Sequence, residues 1–204
     1  ERGYHGMNIG CISVGGMINN VKTFASVLMP GVQHMRHTHL DEHKFVSGQP
    51  ETGADRADDL ERIAMNFGPE NIAACIVEPI AGSTGTLVPP KGYLQKLREI
   101  CDKHGILLIF DEVITGWGRT GSSFASIEYG VTPDIMTMAK ATTNGVVPMG
   151  VVACKDEIYN SVMDASPMGS VELFHGYTYS GIPVAVAAAL AVQDIFEKED
   201  IFNR

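Results

Sequence analysis

Short apolar runs alternate with helical periodicity from residue 53 onward, and this alternation constrains the fold more than any other feature of the sequence. The runs that predict buried strands are 73–79, 106–112, 136–140 and 149–155. The segments that predict helices are 53–67, 94–104, 155–163 and 183–197. Strands separated by helices of about 10–15 residues are typical of βαβ units. The sequence therefore predicts an α/β fold, with a mostly parallel sheet and helices on both of its faces.

The composition is that of a globular chain and disfavours two classes of partner. The 204 residues are 45% hydrophobic and carry a formal net charge of −9. An acidic surface is poorly suited to bind nucleic acid or anionic lipid. The longest apolar stretch, 181–192, is shorter than the about 20 residues that a membrane span needs. We therefore expect neither nucleic acid nor a membrane among the partners.

The four cysteines stand far apart and form no CxxC pair; they are Cys11, Cys75, Cys101 and Cys154. Cys75 and Cys101 lie within apolar patterns, which favours reduced, mostly buried thiols in a cytoplasmic protein. Because four is an even number, disulfide bonds remain an alternative at this point.

Three of the predicted strands end in residues that could carry chemistry. Glu78 ends the first, Asp111 and Glu112 end the second, and Lys140 ends the third. Because ligands bind beyond the carboxyl ends of parallel strands, these side chains are expected at one edge of the sheet. These residues could instead have ordinary structural roles. The carboxylates could bind amides of the loops that follow, and the lysine could lie on the surface. A lysine able to form a Schiff base, with an acid able to pair with a pyridinium nitrogen, is the constellation that pyridoxal phosphate chemistry requires.

The segment GWGRTG at 116–121 is a formal match to the dinucleotide-binding pattern G-x-G-x-x-G. That pattern opens a helix of several turns, whereas only residues 122–129 separate Gly121 from Gly130. A dinucleotide site is therefore the less favoured alternative.

Residues 1–50 show weak periodicity and predict long surface or site-lining loops. They contain four histidines within ten residues, which are His34, His37, His39 and His43. Imidazole binds zinc, but no cysteine is near and the spacing does not match a helical HExxH motif. We expect a loop here and no metal site.

Several blocks of the sequence are similar to one enzyme family, in the order that the family has them. The blocks are VGGMINNVKTF, LMPGVQHMRHTH, IVEPIAGSTGTLVPP, FDEVITGWGRTG, MAKATTNGVVPMG and FHGYTYSG. They resemble the class III aminotransferases of fold type I, above all the ω-amino acid–pyruvate (β-alanine–pyruvate) aminotransferases, over essentially all 204 residues. The resemblance implies an enzyme that uses pyridoxal 5′-phosphate to move an amino group from an ω-amino acid or amine to pyruvate by a ping-pong mechanism.

The resemblance also implies roles for the residues around the cofactor ring. Lys140 matches the lysine that holds the cofactor covalently and shuttles the proton, and Asp111 matches the acid that keeps the pyridine nitrogen protonated. Val113 matches the residue packed on one face of the ring, and Tyr4 matches the aromatic residue stacked on the other. His5, which follows Tyr4 in the Tyr-His-Gly block, is placed in the same cofactor-binding set.

Two further residues connect the resemblance to the substrate and to a partner subunit. Glu78 matches an acid near the cofactor and substrate pocket. Thr178 matches a threonine that reaches the cofactor phosphate of the neighbouring subunit, so the resemblance implies a homodimer or a higher homo-oligomer.

The sequence departs from the family's usual residues at a few positions, which are Trp117, Ala141, Thr142 and Ile182. None of them is the lysine or the acid, so the expected effect is on packing around the lysine loop. The resemblance further implies that residues 1–204 are the central part of the large, cofactor-binding domain. The family's phosphate-loop segment and its C-terminal small domain would then lie outside this sequence, and a non-catalytic piece of the fold is the alternative to an active enzyme.

Overall fold

A four-stranded sheet forms the centre of the computed structural model, which describes residues 1–171 and 173–203. The strands are β1 (Ala74–Val77), β2 (Leu107–Asp111), β3 (Ile135–Met138) and β4 (Val151–Cys154). They lie in the order β1-β2-β3-β4, with β1, β2 and β3 parallel and β4 antiparallel to β3. The prediction of a mostly parallel sheet in an α/β fold is confirmed.

The direction of β4 follows from the connection before it. A parallel neighbour needs a crossover that usually contains an α-helix. Residues 139–150 contain one 3₁₀ turn, Lys140–Thr142, and no α-helix. The chain therefore returns beside β3 in the opposite direction, with Met138 paired to Val151.

The described part of the chain contains seven α-helices. They are α1 (Ile9–Val14), α2 (Ile18–Thr23), α3 (Asp58–Phe67), α4 (Tyr93–His104), α5 (Ala125–Glu128), α6 (Asp156–Asp164) and α7 (Pro183–Lys198). Short 3₁₀ turns lie at Ala25–Val27, Asp41–His43, Ala54–Ala57, Pro69–Asn71, Lys140–Thr142 and Ile201–Asn203. Residues 1–50, predicted as loops, thus also contain α1 and α2. None of the helices in residues 1–171 and 173–203 combines the length and the apolar character that a membrane crossing requires.

Helices α3 and α4 enclose the main core because their apolar residues recur at helical spacing. Leu60 and Ala64 of α3 and Leu94 and Leu97 of α4 are buried in one cluster with residues of β1 and β2. Helix α4 ends where Gly105 takes a left-handed conformation (φ 68°) and donates its N–H to the carbonyl of Cys101. This is the C-terminal cap for which glycine has the lowest conformational cost.

The four cysteines are free thiols, so the alternative of disulfide bonds is wrong. Cys75 and Cys101 are buried in the core as expected, Cys11 is half-buried, and Cys154 is exposed on β4.

The third predicted strand, 136–140, is too long by two residues at its end. Strand β3 ends at Met138, and Lys140 begins a tight turn instead. The N–H and the hydroxyl of Thr142 both donate to the carbonyl of Ala139, at 3.0 Å each, which closes the turn. Lys140 therefore lies beyond the strand rather than on it.

Candidate active site

The residues predicted from the strand ends do share one edge of the sheet. Glu78 follows β1, Asp111 is the last residue of β2, and Lys140 follows β3. In the register of β2 and β3, Asp111 is paired with Thr137, three residues before Lys140. Three residues of chain span at most about 10 Å. The acid and the lysine therefore lie in the same small region at the carboxyl ends of adjacent strands.

Asp111 is buried and is held by two partners. Its Oδ2 atom lies 2.8 Å from Nδ1 of His5, and its Oδ1 atom accepts the N–H of Val113 at 3.1 Å. The side chains of His5 and Asp111 are only 5% and 8% exposed. An ionised carboxylate has about four acceptor positions. Asp111 therefore keeps capacity to accept one more N–H, such as that of a protonated ring nitrogen.

Glu78 holds the N-terminal segment from the neighbouring strand. Its Oε1 atom accepts the N–H of Tyr4 at 2.8 Å, and its Oε2 atom accepts the N–H of Gly82 at 2.9 Å. Burial raises the pKa of the Glu78 carboxyl, and the negative charge of Asp111 adds to that effect, whereas the two backbone N–H groups and His5 lower it. Tyr4 and His5 are thus fixed at the sheet edge by two different acids, Glu78 and Asp111.

Gly3 is a site residue that the sequence reasoning missed. A Cβ atom at this position would lie 2.9 Å from Nε2 of His5, which is closer than side chains tolerate. The absence of a side chain at Gly3 therefore leaves the space in which the His5 ring meets Asp111. No local sequence signal pointed to this role, because it depends on where the ring lies.

Lys140 is exposed and has an unusual backbone conformation. Its φ angle is 47°, in the left-handed region that residues with side chains seldom occupy. The turn is tied to the residues that follow by the N–H of Gly145, which donates to the carbonyl of Lys140 at 3.1 Å. Conformations of this kind cluster at functional sites, where the surrounding structure holds them.

Val113 and Thr178 have different positions relative to this edge. Val113 is half-buried and binds Asp111 through its backbone. Thr178 lies in an exposed turn whose hydrogen bonds are local: the N–H of Ser180 donates to the carbonyl of Tyr177 at 2.9 Å, and the N–H of Tyr177 donates to Oγ of Ser180 at 3.1 Å. The structure thus brings Tyr4, His5, Glu78, Asp111 and Val113 together and places Thr178 on the surface.

Glu112, the second acid at the end of β2, has a structural role. It is fully buried, and its carboxylate accepts the hydroxyl of Thr115 at 2.7 Å and the N–H groups of Ala125 and Ser126 at 2.8 Å each. These bonds join the two ends of the loop that follows β2. The ordinary interpretation of a strand-end carboxylate therefore applies to Glu112.

The glycine-rich segment 116–121 does not have the geometry of a dinucleotide site. It folds back on itself, with the N–H of Trp117 donating to the carbonyl of Ser123 at 2.6 Å. The helix after it, α5, has four residues. A phosphate site of the dinucleotide type needs a glycine turn that leads directly into a longer helix.

Two of the four clustered histidines bind other parts of the protein, His34 and His43. Nε2 of His34 lies 2.9 Å from the carbonyl oxygen of Gly15, and Nε2 of the buried His43 lies 3.1 Å from Oγ1 of Thr52. Burial lowers the pKa of His37. Within the described residues, no group of three or more His, Cys, Asp or Glu side chains could hold a metal ion.

Comparison with known proteins shows one family along the whole chain. Residues 1–204 match the family described as aminotransferase class-III. The chain is 57% identical over 205 residues to an omega-aminotransferase of Caulobacter vibrioides. It is 50% identical over 202 residues to an omega-amino acid–pyruvate aminotransferase of Pseudomonas putida. These alignments cover 100% and 98% of this chain but 46% and 45% of the relatives, so the chain spans about half the length of the curated relatives it matches.

A solved structure gives the same result for the fold. The omega transaminase of Pseudomonas jessenii in complex with PMP superimposes with a TM-score of 0.85 at 36% identity, covering 99% of this chain and 44% of that one. The match to the family model over every residue, together with this agreement in fold, shows that the chain belongs to the class III aminotransferases, a family that depends on pyridoxal phosphate.

Proposed function

We propose that this protein is a pyridoxal-phosphate-dependent aminotransferase that moves an amino group from an ω-amino acid or amine to pyruvate in two half-reactions. The observation that carries the proposal is the shared sheet edge, where the buried, His5-bound Asp111 lies beside the turn of Lys140. The names of the relatives from Caulobacter vibrioides and Pseudomonas putida support the substrate class.

The residues present suit the cofactor that the family uses. When bound, pyridoxal phosphate supplies an electron-withdrawing ring that stabilises negative charge at the substrate carbon. Asp111 would accept the N–H of the protonated ring nitrogen with the acceptor capacity that His5 and Val113 leave. Val113 and Tyr4, both anchored at this edge through their backbones, would flank the ring.

Lys140 would supply the amine chemistry of the site. Its Nζ atom would hold the cofactor covalently and would accept and return the proton in each half-reaction. Proton transfer by a positioned side chain contributes about 10²–10⁴-fold to the rate. His5 contributes indirectly, because its contact with Asp111 orients the carboxylate.

The position of Thr178 supports a site completed by a second copy of the chain. Thr178 lies on the surface, in a segment with exposed aromatic residues on both sides. In the proposed homodimer, Thr178 would bind the phosphate of the cofactor held by the other subunit.

Lys140→Ala tests the proposal directly. The purified chain is incubated with pyridoxal phosphate, reduced with borohydride and mapped by peptide mass spectrometry. We expect an adduct at Lys140 in the wild-type chain, with loss of that adduct and of amino transfer from β-alanine to pyruvate in Lys140→Ala. Lys22→Ala, which changes an exposed lysine on α2, should retain both.

Two other results would contradict parts of the proposal. Labelling of Lys140 no greater than that of Lys22 would reject the assignment of the site. A Lys140 adduct with no amino transfer would support cofactor binding and favour the non-catalytic alternative for this chain.

A further inference from the structure

A hydrogen bond joins the loop after β2 to the turn that carries Lys140. The indole Nε1–H of Trp117 donates to Oγ1 of Thr142 at 2.9 Å, and the same hydroxyl donates to the carbonyl of Ala139 at 3.0 Å. Thr142 is 2% exposed, so water cannot easily replace either bond. The hydroxyl of Thr142 therefore connects the start and the end of the turn to the neighbouring loop.

Both segments joined by this bond have unfavourable backbone conformations. The φ angles of Lys140 and Trp117 are 47° and 62°, although neither residue is glycine. Such conformations persist only where the surrounding structure fixes them. The bond between Trp117 and Thr142 is one of the contacts that can do so, because it ties the two strained segments to each other.

Trp117 is itself held by neighbours that do not belong to the turn. Its ring centroid lies 4.9 Å from that of Phe124 and 5.9 Å from that of Phe196 on α7. The ends of its loop are joined by the buried carboxylate of Glu112. The indole N–H thus comes from a group that is anchored independently of the Lys140 turn.

We propose that the hydrogen bond between Trp117 and Thr142 positions Lys140, by fixing the turn 139–142 so that the lysine amine is presented to the site beside Asp111. The inference rests on the proposed function, in which Lys140 carries the cofactor. Trp117 and Thr142 are positioning residues in this account, because they act through the turn rather than on the reacting atoms.

Three variants separate the hydrogen bond from the packing of the two side chains. Trp117→Phe keeps an aromatic ring and removes the N–H donor, and Thr142→Val keeps the shape and removes the hydroxyl. Thr142→Ser restores the hydroxyl. Thr143→Val is the matched control: Thr143 is also 2% exposed and donates to a backbone carbonyl, but that of Val147, at 2.6 Å.

The first measurement is amide hydrogen exchange over residues 139–142 without cofactor. We expect exchange about fivefold faster in Trp117→Phe, the effect of losing one ordinary hydrogen bond. Exchange should be at least as fast in Thr142→Val, which also loses the bond from the hydroxyl to the carbonyl of Ala139. Thr142→Ser should restore the wild-type rate, and the double variant Trp117→Phe/Thr142→Val should be no faster than Thr142→Val alone. Equal exchange in wild type, Trp117→Phe and Thr142→Val would overturn the inference, as would an equal acceleration of this segment by Thr143→Val.

The second measurement is the selectivity of cofactor attachment, given as the ratio of borohydride-fixed adduct at Lys140 to that at Lys22. We expect this ratio to fall about fivefold in Trp117→Phe and in Thr142→Val, and to recover in Thr142→Ser. A high ratio that is unchanged in Trp117→Phe and Thr142→Val would reject the positioning role and leave the proposed function intact. A ratio near one in the wild-type chain would reject the proposed function, whereas hydrogen exchange would still report whether the bond fixes the turn.

Discussion

At the scale of single residues, Asp111 and Glu112 show that adjacent acids can have different roles. Successive side chains near the end of a strand point to opposite faces of the sheet. Asp111 meets His5 at the site, whereas Glu112 accepts three hydrogen bonds inside the loop that follows β2. Both acids were visible in the sequence, but only the direction of each side chain distinguishes the candidate catalytic acid from the structural one.

Glu112→Gln should destabilise the protein through the loop that carries Trp117. The amide would place an NH₂ group against at least one of the donors from Thr115, Ala125 and Ser126. We expect a loss of about 1–3 kcal/mol in the free energy of unfolding, measured in urea. Glu128→Gln, at an exposed carboxylate of α5, should change it by less than about 0.5 kcal/mol. Similar losses in the two variants would contradict the role assigned to Glu112.

At the scale of elements, helix α3 illustrates a prediction that local signals support well. Its buried residues Leu60, Ile63 and Ala64 fall on one face, and Gly68 follows its last residue with a φ angle of 80°. The turn at Lys140 illustrates the opposite case. Its sequence continues an apolar run, but hydrogen bonds from Thr142 to Ala139 end the strand at Met138.

An ion pair fixes the segment before α3 to the start of that helix. The guanidinium of Arg36 donates to both carboxylate oxygens of Asp59, at 2.7 Å to Oδ1 and 2.9 Å to Oδ2, and the N–H of Arg36 donates to Oδ2 at 2.8 Å. The hydrogen bonds from Arg36 lower the pKa of Asp59 from 3.8 to about 2. The chain around Arg36 is therefore held to α3 by the carboxylate of Asp59, whose charge depends on pH.

Arg36→Gln should remove a pH-dependent part of the stability. A carboxyl whose pKa is lowered in the folded state stabilises the protein above pH 4, and this contribution is lost as the pH falls from about 4 through about 2. We expect the free energy of unfolding near pH 7 to be about 1 kcal/mol higher in the wild type than in Arg36→Gln. The difference should be no larger, because solvent screens the half-exposed guanidinium. The difference should shrink steeply between about pH 4 and about pH 2 and be lost at still lower pH.

The control for this experiment is Lys44→Gln, which removes an ion pair with the exposed Asp41. It should leave the free energy of unfolding unchanged within error. A difference between wild type and Arg36→Gln that is constant from pH 7 to pH 2 would show that packing of the arginine, rather than the charge of Asp59, carries the effect.

At the scale of the whole molecule, exposed apolar residues are concentrated after α6. Phe174 and Tyr179 are 91% and 77% exposed, and they lie on either side of Thr178 in the sequence segment 173–181. Apolar surface of this kind is typical of sites of protein association. It agrees with the proposal that a second copy of the chain completes the site.

The chain should self-associate through this segment. Light scattering at tens of micromolar protein is expected to give a mass above that of the 22.0 kDa monomer. The double variant Phe174→Ser/Tyr179→Ser should shift the population toward monomer, whereas Met65→Ser, at an exposed residue of α3, should not. A purely monomeric wild-type chain would contradict the prediction.

The order of the four strands and of helices α3, α4, α6 and α7, and the placing of the acids near the strand ends, could be predicted from the sequence alone, because periodicity and strand length are local properties. The tertiary structure decided which of these residues meet. His5 reaches Asp111 across 106 residues, and Trp117 reaches Thr142 across 25, although the sequence marked Trp117 and Thr142 only as unrelated departures from the family. Such contacts depend on how distant segments pack, and no local pattern along the chain records them.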